Sequence, residues 1–110
     1  MVIFPSIDPD AERVLTFDAT LDLAQGPNGP VETLQGGITV NVTLTAGIDP
    51  NPANIILAPP AYGNGGLLML QPVGNLSALV GNDYMLEAIS PTTTPEKVVV
   101  IRGLLQVRAD

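Results

Sequence analysis

The chain has 110 residues, 45% of them hydrophobic, with eleven acids against four bases (net charge −7) and no histidine, cysteine or tryptophan. That length holds one domain with one core, which needs neither disulfide nor metal to fold. The missing residue types exclude imidazole proton transfer, thiol nucleophiles and the usual zinc ligands, and the acidity disfavours nucleic acid and anionic membrane as partners.

The sequence therefore points to a protein that works through shape and surface, with no enzymatic activity and no cofactor. The acidity itself is read as ordinary solubility. Residues 1–9 are expected to form an extended arm and residues 10–110 a single domain. The opening has no positively charged leader, and no apolar run approaches the roughly 18 residues of a membrane span, so a soluble protein outside the usual secretory route is expected. Val2 to Ile7 is apolar and bracketed by Pro5 and Pro9, which favour extended backbone. Two readings stay open. Val2, Ile3, Phe4, Pro5 and Ile7 either dock on a neighbour's sheet edge or groove, or form a first edge strand of the same domain.

Asp8, Asp10 and Glu12 alternate like cation ligands but lack the central glycine and closing glutamate of a calcium loop, and read as a solvated face. From Asp10 to Gln25, Leu15, Phe17, Ala19, Leu21 and Leu23 alternate with Thr16, Asp18, Thr20 and Asp22. A strand is expected over the first half and a turn or short helical turn over Leu21 to Gln25. A helical face through Val14, Phe17, Leu21 and Ala24 is the other option. Asp18 and Asp22 are the one carboxylate pair to weigh for glycoside chemistry, and no aromatic cluster accompanies them.

Gly26 to Pro30 and Gln35 to Gly37 read as turns. Ile38 to Thr45 alternates strictly, with Ile38, Val40, Val42 and Leu44 on one side, and is the clearest strand. Gly47 to Gly66 holds four prolines and four glycines and is interrupted only by the apolar run Asn54 to Ala58. A projecting loop that contacts a partner, through Pro59, Pro60 and Tyr62, is expected there. A plain surface excursion is the other reading. Gly63 to Gly66 lacks the Lys-Ser/Thr ending of a phosphate loop. Leu67 to Gln71, Asp83 to Ile89 and Lys97 to Val107 are further strands. Tyr84, Leu86 and Ala88 are expected on the inner side, as are Val99, Ile101, Gly103, Leu105 and Val107. Arg102, Gln106 and Arg108 mark a wet face on the last strand.

About seven short strands separated by turn clusters predict an all-β, antiparallel, immunoglobulin-like sandwich. Tyr84, at the start of a late strand, is placed to bury its ring and return its hydroxyl to an upstream backbone group.

Phe4-Pro5, Phe17-Asp18, Leu23-Ala24-Gln25-Gly26, Gly37-Ile-Thr-Val40 and Gly81-Asn-Asp-Tyr84-Met-Leu together resemble the small tailed-phage and prophage virion proteins known as fibre–tail adaptor or accessory proteins. The chain departs from that pattern where Ala19-Thr20 follows Asp18 in place of a tryptophan, and in its long, proline-rich middle. The resemblance implies a non-enzymatic virion component, assembled in the bacterial host cytoplasm. It would contact other tail or fibre proteins and self-associate, for example in a ring. A carbohydrate- or surface-binding decoration module is the alternative.

Overall fold

The computed structural model describes residues 2–4, 12–74 and 80–108. The chain is built from strands: β1 (Val2–Ile3), β2 (Arg13–Asp18), β3 (Gln25–Gly26), β4 (Gly29–Pro30), β5 (Thr39–Ala46), β6 (Ala61–Gly63), β7 (Leu68–Val73), β8 (Asp83–Pro91) and β9 (Val98–Gln106). Two 3-10 turns, Thr20–Asp22 and Pro52–Ile55, are its only helical pieces among the described residues. Glycine and proline punctuate most of the chain, and in the one long stretch free of both, residues 10–25, alternation makes Arg13–Asp18 a strand.

Two sheets carry the architecture. One has the order β1-β9-β8-β5, the other β2-β7-β6, and β3-β4 is a separate small hairpin. All pairings are antiparallel except β1 with β9, where Val2 lies beside Gly103 and Ile3 beside Leu104. The period-two pattern aligns across strands. Leu44, Tyr84 and Leu105 form one inward row, Val42, Leu86 and Gly103 the next, and Val40, Ala88 and Ile101 a third. On the facing sheet, Leu15 lies opposite Gln71 and Phe17 opposite Met69. The inward residues of both sheets form one hydrophobic cluster, completed by Ile55, Leu23, Leu34 and Phe4.

Phe4 shows how the first strand is held. Its ring meets Phe17 edge-to-face, with centroids 5.3 Å apart. It sits over Gly103, where any Cβ would overlap the ring. Gly103 is therefore a cavity for an aromatic ring in the middle of the last strand, a use of glycine that sequence periodicity does not reveal.

Polar locks close both ends of β8. At its start, Tyr84 is fully buried and its hydroxyl donates to Asp49 Oδ2 at 2.7 Å. Asn82 donates through Nδ2 to the Tyr84 hydroxyl and to the Ile48 carbonyl, and accepts from the Ile48 amide. Gly47, at φ +96, lies where a Cβ would strike the Asn82 side chain. The upstream partner of Tyr84 is thus a carboxylate, and Asn82 supplies the backbone contacts.

At the other end, Ser90 Oγ donates to the Pro91 carbonyl, so the Tyr62 hydroxyl donates to Ser90 and accepts from the Gly37 amide. Nearby, Glu32 is buried and receives the Ala24 amide, the Lys97 ammonium and the hydroxyls of Thr92 and Thr94. A buried carboxylate is tolerable only with such a complete set of donors.

The elements differ from the sequence expectation in three places. The helical turn falls at Thr20–Asp22, one residue before the expected segment, and Gln25–Gly26 is a strand. Asp18 Oδ1 accepts from the Thr20 amide and so starts the turn early. Asn54 to Ala58 is not a strand run. Pro52–Ile55 turns first, which drops Ile55 into the core, and Ile56 then bridges Val73. Strand β7 continues through Pro72, whose missing N–H is compatible with the ladder and whose carbonyl accepts from Leu57.

Candidate protein interface

The outer face of the four-stranded sheet is unusually apolar. An antiparallel sheet with one wet side alternates apolar and polar residues. Strand β9 does not: Val98 and Val100 point outward between the inward Val99 and Ile101, and are 52% and 42% exposed. Register places them in rows. Val98 lies beside Pro91, Val100 beside Ile89, and Leu104 beside Met85, with Ile3 at the margin, 64% exposed. Thr39, Asn41 and Thr43 of β5 extend the face.

Across its middle runs Arg102 Nε to Glu87 Oε2 at 2.8 Å, and at one end Arg108 meets Asp83 at 2.7 Å. The face is therefore a set of apolar rows divided by a neutralised ion pair. Exposed apolar rows beside an arginine are a composition that protein-docking surfaces share.

The residues singled out from sequence do not converge on this face. Val2 pairs with β9, Ile3 lies on the face, and Phe4 is buried in the chain's own core. The segment through Phe4 thus takes the edge-strand arrangement; Pro5 and Ile7 lie outside the described residues. Pro59 is exposed, and Pro60 and Tyr62 are half-buried at the opposite margin of the stack, on and just before β6. The Gly47–Gly66 excursion is tied down by Asn82 and Tyr84 at one end and by the pairing of Ile56 with Val73 in its middle. Ile48, 88% exposed, is the apolar residue it presents most openly.

Sequence reasoning missed Val98, Val100, Leu104, Met85 and Ile89. The signal was present in Val98-Val-Val-Ile101: four consecutive apolar residues on a strand leave two of them on each face.

The Thr20 hydroxyl and amide both bond Asp18 and hold its carboxyl below the usual range. A cleft of about 350 Å3 between Phe4 and β2 is lined by Phe4, Arg13, Val14, Leu15 and Thr16. No group of three acidic side chains that could hold a metal occurs among the described residues. No described helix is long and apolar enough to cross a membrane. Comparison with protein-family models, curated proteins and solved structures finds no match.

Proposed function

We propose that this chain is a non-catalytic docking module with an immunoglobulin-like sandwich fold, serving as a tail or fibre adaptor in a phage or prophage virion. The observation that carries the docking reading is the first half of β9, apolar on both sides, which leaves Val98 and Val100 uncovered beside Ile89 and Pro91. A strand apolar on both faces is normally covered on both.

The strand order supports the immunoglobulin-like reading. With the seven strands of the two larger sheets lettered A to G in chain order, C, F and G share one sheet and B, E and D the other. Strand A joins G in parallel, and the buried tyrosine opens F. The virion assignment rests on the sequence resemblance alone. A sugar-binding role finds no such support, because the Tyr62 hydroxyl is engaged with Gly37 and Ser90.

The test is a double substitution, Val98→Glu with Val100→Glu, scored by incorporation into phage particles. Both side chains are exposed, so folding is expected to change by no more than about 0.5 kcal/mol per site. Incorporation is expected to fall sharply, whereas Leu21→Glu, on the 92%-exposed residue of the first 3-10 turn, leaves it intact. Unchanged incorporation of the double variant sinks the proposal.

A further inference from the structure

We infer that β5 is a self-pairing edge, through which two copies of the chain join antiparallel about a two-fold axis and merge their four-stranded sheets. The two sheets have four margins: β1, β5, β2 and β6. Natural proteins protect such margins with short strands, charges, proline or bulges. Here β1 has two residues and β6 three, and β2 begins at Arg13 and ends at Asp18. Strand β5 runs for eight residues, Thr39-Val-Asn-Val-Thr-Leu-Thr-Ala46, with no charge and no proline, and its one irregularity lies at the far end, between Leu44 and Ala46. The turn Pro52–Ile55 packs against β5. Among the described residues no backbone hydrogen bond beyond the β8 ladder reaches residues 39–46.

Burial and charge both favour a second copy as the occupant. Val40, Val42 and Leu44 pack against the core yet stay half-buried, while Ala88, Leu86 and Tyr84 in the same rows are fully buried. A neighbouring strand would cover them with the partner's Val40, Val42 and Leu44. Each copy carries a net charge of −7, so like copies repel, and they approach best where no charge stands. On β8, the acid beside Asn41 is Glu87, already neutralised by Arg102. Self-pairing engages the whole of β5 in both copies, whereas pairing with β1 of another copy would engage two residues and leave an open chain. The isologous contact closes at a dimer.

Sedimentation equilibrium of the purified full chain tests this apart from any virion partner. The expected mass is twice the 11.4 kDa of one chain, falling on dilution and favoured by added salt, which screens the repulsion. Asn41→Glu with Thr43→Glu changes exposed side chains only. It should weaken association by about tenfold or more by placing like charges across the axis, with the circular dichroism spectrum and unfolding midpoint of the monomer retained. Because the chain lacks cysteine, Asn41→Cys and Thr43→Cys, alone or mixed, should give a disulfide-linked dimer on mild oxidation, and Val98→Cys should not. A monomer at every concentration, a dimer indifferent to the glutamates, or cross-linking through Val98→Cys in place of the edge overturns the inference.

Discussion

Tyr84 and Glu32 are both ionisable groups taken out of water, and their surroundings shift them in opposite directions. Burial, reinforced by the Asp49 carboxylate, pushes the Tyr84 hydroxyl up to about 12. The folded state thus holds this proton more tightly than the unfolded chain. The resulting stability is complete below pH 10 and is lost as pH rises towards 12. Tyr84→Phe removes the bonds to Asp49 and Asn82 and should cost about 1–2 kcal/mol in urea unfolding at neutral pH, with a weaker alkaline decline. Glu32 moves the other way. Hydrogen bonds from Lys97, Thr94 and the Ala24 amide hold its carboxyl near a pKa of about 2. The stabilisation is complete above pH 4.5 and is lost as pH falls from there towards 2. Glu32→Gln should give a flatter stability profile across that acid window, read by denaturant midpoints at successive pH values. A slope equal to that of the parent would show that other carboxylates govern the acid limit.

At the scale of elements, β9 explains most of the molecule. Its inward side fills the core, its outward side supplies the candidate interface, and Gly103 admits Phe4 from β1. Gly103→Ala forces its new methyl group into the Phe4 ring and should destabilise the chain by about 1–3 kcal/mol. In a Phe4→Leu background the same change should cost clearly less, so a double-mutant cycle in chemical unfolding reads their coupling directly. Additive costs would separate Gly103 from the seating of β1. The inward residues of β5 follow from strict alternation, and those of β9 from the polar Arg102 and Gln106 on its other side. The pairing of β1, by contrast, depends on a ring-sized space above a glycine, which no period announces. Pro52–Ile55 is a similar case. Asn54 to Ala58 is apolar enough for a strand, and only the turn before it determines that Ile55 enters the core while Leu57 remains partly exposed.

For the whole molecule, the order of strands sets the kinetics. The first strand pairs with the last, and β5 pairs with β8 across the entire middle of the chain. Such distant contacts must be formed before they are rewarded, so folding is expected on a timescale of about milliseconds to seconds. Stopped-flow far-ultraviolet circular dichroism measures it, and microsecond folding would contradict the expectation. The same topology leaves β1 and β5 as the margins of one sheet. One is two residues long and the other eight, which is why β5 is the margin expected to pair with a second copy.

The sequence by itself determined that this is a strand protein without imidazole or thiol chemistry. Alternation, β-branched residues and glycine–proline punctuation are local properties, and a missing residue type is absolute. It also determined which side of β5 faces inward, because a one-residue slip would turn its valines and leucine to water. Tertiary structure alone decided what those strands leave uncovered. Whether Val98 or Val40 ends up buried depends on which strands stand beside and above it, and that is set by distant pairings. The candidate face and the open edge therefore became visible only once the sheets were assembled.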